Sequence, residues 1–224
     1  PSTRLRPCTV RDHAARSRRA DLLHATCAGV GSVNRESYLA RLHVERGLPA
    51  TQLRVTHTIG PKTPLVTREP IFFKRLEEGR PIFIPGDGFP FVHLVHVQDV
   101  ATLMVSLAGN DRAIGESYNV AGRDYTSVAG CMRAMAQAVG VEANLVHVPM
   151  DAARGMRPPL IHWGEGLLGG AVYSIDKALA DLDWTPAFDL ESGYRDSYAW
   201  FADAGRALFD YDFSRDDEIL AACK

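Results

Sequence analysis

Several things this chain lacks narrow its chemistry before any motif is read. Its four cysteines, Cys8, Cys27, Cys131 and Cys223, are scattered without a CxxC pair. That excludes a disulfide frame and a cysteine zinc site, and it points to reduced thiols in a cytoplasmic protein. No apolar run reaches the ~18 residues of a membrane span, so no membrane partner is expected. The formal net charge is only −2, which makes no global demand for nucleic acid or lipid. His93 and His96 are the nearest pair of candidate ligands. Alternation along a strand sends them to opposite faces, so no metal site is expected.

Two further absences concern catalysis. A dinucleotide fingerprint needs a strand, a glycine-rich turn and a helix N-terminus. The best candidate, Gly29-x-Gly31, has neither an apolar strand before it nor a third glycine after it. A Tyr and a Lys four residues later on one helix would supply a proton-transferring phenol, but Tyr38 is followed at that spacing by Leu42. Tyr38 therefore reads as a helix aromatic packed on a neighbour, and no catalytic residue is assigned.

The 224 residues are 46% hydrophobic and 23% charged, an ordinary globular balance. Residues 1–34 read as a basic leader, disordered or aberrant, with Arg4, Arg6, Arg11, Arg16, Arg18 and Arg19 against the single early acid Asp12. An alternative for the same stretch is a basic arm for RNA or an anionic surface, or a targeting peptide. From about residue 35 to residue 209 strands alternate with helices, which argues an α/β architecture. Leu39, Leu42, His43 and Arg46 lie at helical spacing. Gln52–Thr58 is one β-branched strand ended by Gly60-Pro61. Pro70 opens a helix, Pro81–Ile84 is a strand, and Pro85-Gly86-Asp87-Gly88 is a turn.

Val92–Val97 is a strand, and Asp99 is expected to cap the helix that follows. Ser117–Ala121 is a strand, and Thr126 is expected to cap the next helix. Leu145–Val148 is a strand, residues 150–172 read as a long loop, and Ser174 or Asp176 caps a short helix. Leu190–Leu208 is expected to be the last long helix, and residues 210–224 an acidic tail. Trp184-Thr185-Pro186 reads as the cover of a core end.

Five segments in fixed order carry a resemblance: LPATQLRVTHTIGP at 48–61, FFKRLEEGRPIFIPGDG at 72–88, HVQDVA at 96–101, GESYNVAG at 115–122 and SIDKALADLDWTP at 174–186. Together they resemble the extended short-chain dehydrogenases, the NAD-dependent epimerases/dehydratases. The tail DYDFSRDDEIL at 210–220 and the stretch LVHVQDVA are similar to the atypical stem-loop-binding members of that group, which are linked to RNA.

The resemblance implies a partial NAD(P)-binding, Rossmann-like sheet with a small α/β substrate-binding lobe, represented by its C-terminal, substrate-side part. It implies NAD or NADP as cofactor of the full-length family, with weak or absent binding by this chain. Thr56 and His57 would lie on the nicotinamide side. Thr58, Pro85, Gly86, Gly88, Val92 and His162 would line the substrate pocket. Val92 stands where the nucleotide-sugar enzymes place an arginine, and His162 to Glu165 stand where a second arginine stretch is usual, so a diphosphate clamp is not expected. The partner implied is a sugar-like or hydroxylated small molecule. RNA or protein binding by a catalytically silent member, self-association, and a non-functional truncated gene product are the alternatives.

Overall fold

The computed structural model describes residues 22–27, 32–64, 68–155, 170–221 and 223. The side chains of residues 22–27, 32–35, 154 and 155 stand outside that description, as does most of the basic leader.

Three small sheets organise the chain. The first is wholly parallel, in the order β1 (Leu22–Cys27), β2 (Ala50–Val55) and β6 (Ser117–Val120), with Leu53 beside Tyr118 and Val55 beside Val120. β1 lies inside the stretch read as leader, and α1 (Ser32–Arg46) begins there too. The boundary at residue 34 therefore cuts through ordered elements. Leu53, Val55, Tyr118 and Val120 pack under Leu103 and Leu107 of α3 (Val97–Leu107), and under Leu182 and Trp184. That layer of helix on parallel sheet buries one face of central strand β2; on the other face Gln52 donates to the Glu36 carbonyl of α1 at 2.9 Å and Arg54 is exposed.

The second sheet joins β3 (His57–Ile59), β5 (Phe91–His96) and β7 (Tyr125–Ser127), and the third pairs β4 (Ile82–Pro85) with β8 (Leu145–Val148) in parallel. These belong to the lobe. Its core is built from Phe72, Phe73 and Leu76 of α2 (Glu69–Glu77), Met132 and Met135 of α4 (Val128–Val139), and Tyr194 of α7 (Leu190–Trp200). β2 and β6 thus lie in the parallel sheet, and β4 lies in the lobe.

Gln52–Thr58 departs from the reading as one strand. Val55 is the last residue paired with β6, and His57 is the first paired with β5. Thr56 is the switch between sheets, its amide donating to the Val120 carbonyl at 2.9 Å. Gly60 follows with φ +137, and a Cβ there would stand 2.6 Å from Val97 Cγ1. Only glycine closes that corner.

The helix ends correct two cap assignments. Asp99 sits inside α3, and the N-cap is His96, whose Nδ1 accepts from the Gln98 amide at 3.2 Å. Asp99 is buried and accepts from the amides of Ala187 (2.8 Å) and Phe188 (3.2 Å), while Trp184 Nε1 donates to its carbonyl at 3.0 Å. It ties a distant loop to the sheet rather than ending a helix, and Trp184 covers the core end as expected. In α4 the cap is Ser127, whose Oγ accepts from Gly130, while Thr126 belongs to β7.

The region read as one loop from residue 150 opens with α5 (Met150–Gly155). The N-cap of α6 (Asp176–Asp181) is Ile175, without a side-chain cap bond, rather than Ser174 or Asp176; Ser174 Oγ accepts from the Asp176 amide at 3.2 Å just ahead of it. The last long helix ends sooner than read: α7 gives way to a π turn over Phe201–Gly205 and a 3-10 turn over Arg206–Leu208.

The acidic tail is a packed element. α8 (Asp216–Ala221) lays Ile219 on Phe83 and Val148. Asp216 forms a two-pronged pair with the Arg75 guanidinium at 2.7 and 3.1 Å. Phe213 lies under both Arg75 and Arg80.

Candidate functional site

Ligands of open parallel sheets bind beyond the carboxyl ends of the strands, where neighbouring strands part. In this chain that place is the seam where β2 and β6 leave the first sheet. β2 passes through Thr56 into β3. β6 passes through Ala121 to Gly122, whose amide donates to the Leu94 carbonyl at 2.7 Å. A Cβ on Gly122 would meet that oxygen at 2.6 Å, so the approach of the two backbones needs glycine.

His93 finishes the seam. Its Nδ1 accepts from the Tyr173 amide at 3.2 Å, which places the proton on Nε2, and Nε2 donates to the Gly122 carbonyl at 2.9 Å. Burial lowers its pKa, so the ring is neutral. His96 faces elsewhere, as alternation predicts for residues three apart. It stacks on Phe188 with 3.7 Å between ring centroids, and its Nε2 lies 3.1 Å from the Asp196 carboxylate rather than from Asp99. Burial lowers its pKa against the opposing pull of Asp196. Among the described residues no group of His, Cys, Asp and Glu could hold a metal ion.

Thr56 is buried, and its hydroxyl has no hydrogen-bond partner among the described residues. His57 is held neutral to about pH 4, by burial first and by the Arg68 charge second. The Thr58 carbonyl accepts from the Arg68 guanidinium, whose Nη2 also stands 3.6 Å from the buried Glu69 carboxyl. Burial pushes that carboxyl upward, against Arg68. Arg68 and Glu69, with Gly122 and Tyr173, were not legible as site residues. Arg68, Gly122 and Tyr173 act through contacts with Thr58, Leu94 and His93, and Glu69 through its neighbour Arg68.

The expected pocket residues divide. Thr56, His57 and Thr58 stand together at the seam. Val92 does not line a wall: it is 1% exposed and belongs to the lobe core. Pro85 and Gly88 are buried as well. Gly88 needs its φ of +72 and its missing Cβ to fit against Ala129, which a Cβ would meet at 2.9 Å. Gly86, at φ +60, donates to the Val148 carbonyl at 2.7 Å, and its own carbonyl is 2.8 Å from His147 Nδ1. These contacts tie the turn to β8 and α4. His162 lies outside the described residues.

Two hollows adjoin these segments. A crevice of about 10 Å³ between Ile59, His96, Gly122 and Phe188 has room for about one water. A groove of about 370 Å³ runs along Asp87, Phe89, Pro90, Phe91 and residues 170–172, within the size range of small-molecule sites. Phe89, Phe91 and Tyr125 stand exposed beside it, edge to face at 5.1 and 5.8 Å.

These residues would meet only one end of a nicotinamide cofactor. The seam offers backbone groups and the orphaned Thr56 hydroxyl, which suit the nicotinamide end. β1 stands ahead of Gly29-x-Gly31 and α1 begins at Ser32, which corrects the expectation that no strand precedes those glycines; residues 28–31 themselves lie outside the described residues. Among the described residues no helix is long and apolar enough to cross a membrane.

Comparison with known proteins gives the same picture. Residues 33–121 match the NAD dependent epimerase/dehydratase family. The chain is 34% identical over 195 residues to the chloroplast stem-loop binding protein of 41 kDa b from Arabidopsis thaliana, covering 85% of this chain and 49% of that protein. It therefore spans about half the length of its curated relative. The fold is similar to UDP-glucose 4-epimerase from Thermotoga maritima, with a TM-score of 0.64 and 23% identity over 81% of this chain and 54% of the other. It is also similar to an epimerase from Methanothermobacter thermautotrophicus, with a TM-score of 0.64 and 19% identity over 84% and 61%. A dTDP-glucose 4,6-dehydratase from Bacillus anthracis, solved in complex with NAD, matches with a TM-score of 0.60 and 17% identity over 75% and 50%. Residues 33–121 thus carry the match to the NAD dependent epimerase/dehydratase family, and the partial Rossmann-like sheet with its small lobe is similar in fold to these epimerases and the dehydratase.

Proposed function

We propose that this chain forms the substrate side of an NAD(P)-dependent epimerase/dehydratase-type enzyme acting on a sugar-like or hydroxylated small molecule. The observation that carries the reading is the seam: β2 and β6 leave the parallel sheet side by side at Thr56 and Gly122. Thr56 and His57 would face the nicotinamide, which supplies hydride transfer when bound. The groove at Asp87, Phe89 and Phe91 suits a neutral ligand. Aromatic rings meet the C–H faces of a sugar, and a carboxylate accepts from its hydroxyls. Among the described residues that line it there is no cation, which supports a neutral ligand over a diphosphate.

The test is NMR titration of the chain with NADH and with UDP-glucose. NADH should move the Thr56 and His57 resonances and bind more weakly than micromolar. UDP-glucose should move Asp87, Phe89 and Phe91 through its sugar. Micromolar NADH affinity, about −8 kcal/mol, or shifts scattered over the surface would sink the reading.

A second reading draws on the curated relative's name and on the exposed Phe89, Phe91 and Tyr125, since unpaired bases stack on such rings. It is a catalytically silent, RNA-binding member of the fold. Asp87 beside the groove repels phosphate and counts against it. Stem-loop RNA bound in gel shift at low salt, and released by Tyr125→Ala, would favour RNA over the sugar-like substrate.

A further inference from the structure

The seam needs something to hold its outer strand, because β3 is only three residues long and pairs with β5 alone among the described strands. We propose that Arg68 is the positioning residue of this edge: anchored by Glu69, its guanidinium clamps the Thr58 carbonyl and so fixes where the His57 ring stands.

The geometry assigns each part. Arg68 is the residue before α2, and its side chain is 15% exposed. It donates to Thr58 across ten residues of chain. Its anchor is the first residue of α2, with a side chain 1% exposed and neither oxygen hydrogen-bonded among the described residues. The guanidinium 3.6 Å away is the larger stabilising influence on that buried carboxyl, ahead of its own backbone amide. A planar fork can face a carbonyl and a carboxyl at once, whereas a lysine ammonium serves them less well. The Arg68 charge also reaches His57, where it adds to burial in keeping the ring neutral. One side chain thus fixes the path of the β3 backbone and adds to burial in keeping its ring neutral. Because Arg68 touches protein rather than ligand, it is a positioning residue and not a catalytic one.

This inference rests on the proposed site at Thr56–Thr58, and its test is independent of ligand. His57 is titrated by NMR, and amide exchange is followed at His57–Ile59. In Arg68→Met the His57 midpoint should rise from about 4 yet stay below the ordinary value, because burial remains the larger cause. The β3 amides should exchange roughly tenfold faster or more, for the loss of one charge-assisted hydrogen bond. Arg68→Lys should return the midpoint towards about 4 while restoring protection only in part. Native exchange in Arg68→Met overturns the proposal, even if the midpoint moves, because that would be charge acting without a clamp. Should Arg68→Met not fold, Arg68→Lys and Glu69→Gln carry the test, and native β3 exchange in both overturns it. A chain that passes these tests yet leaves NADH unbound retains the clamp and loses the functional reading.

Discussion

Removing the Asp216 carboxylate should unseat the tail and weaken the whole lobe. Arg75 is 10% and Asp216 13% exposed at the side chain, and they meet through two hydrogen bonds at 2.7 and 3.1 Å. In Asp216→Ala the guanidinium keeps the Pro81 carbonyl at 2.9 Å and the Phe83 and Phe213 rings, but no carboxylate. Breaking a buried pair from one side costs about 3–5 kcal/mol. Arg80, 40% exposed and 3.6 Å from Asp216, shows that water approaches this edge, so the lower end of that range applies. Asp216→Asn keeps hydrogen-bonding atoms in place and should cost about 1–2 kcal/mol. The double variant Arg75→Met/Asp216→Ala should recover much of the loss, because no charge is then left buried without its partner. Urea unfolding followed by circular dichroism, run as a double-mutant cycle, measures all three. A loss under about 1 kcal/mol in Asp216→Ala, or additive single variants, would refute the view that this pair anchors the tail.

Two other outcomes follow from the seam. His57 titrates in the folded chain near 4, below its ordinary 6.5, so as pH falls from 6.5 to 4 the unfolded chain takes a proton that the folded chain refuses. Stability should fall across that window by at most roughly 3 kcal/mol and then level off, and His57→Gln should flatten the slope in denaturant melts; an equal slope in both proteins would show that His57 is not its source. Gly122→Ala drives a methyl to within 2.6 Å of the Leu94 carbonyl oxygen, a backbone atom that cannot swing aside, and should cost about 1–3 kcal/mol with loss of protection at the Gly122 amide; unchanged stability would mean the two backbones are not in close contact.

Much of the fold was legible because it follows local periodicity. The alternation of VHLVHV and the helical stripe of Val128, Met132 and Met135 give β5 and α4 from sequence, within a residue or two at their ends. What escaped depends on partners distant in the chain. Nothing in QLRVTHT marks Thr56 as the residue where pairing passes from Val120 to Leu94. LLHATC lacks alternation and became a strand through its pairing with β2. Asp99 has the composition of a cap, and only the arrival of Ala187 and Phe188 makes it a tie.

The site was half legible for the same reason. Thr56–Thr58 reads as a strand end, and in the structure it lies where β2 passes into β3. Val92 and Gly88 occupy promising places in the sequence, yet their side of the strand and turn faces the lobe interior. Asp210–Leu220 reads as solvated acid, because its aromatic and ionic partners Phe83, Arg75 and Arg80 lie more than a hundred residues earlier.

The paired crossings at Thr56 and Gly122 also set how the two parts of the molecule can move. Both backbones pass from the parallel sheet to the lobe side by side, one bonded to Val120 and the other to Leu94. Two adjacent strands crossing one gap act like the leaves of a strap hinge: they permit bending about an axis across the gap and resist twist and sliding. β5 also runs straight into α3, and Ala187 and Phe188 are tied to Asp99, so motion of the lobe over the sheet should be small, with the His57 ring riding near its axis.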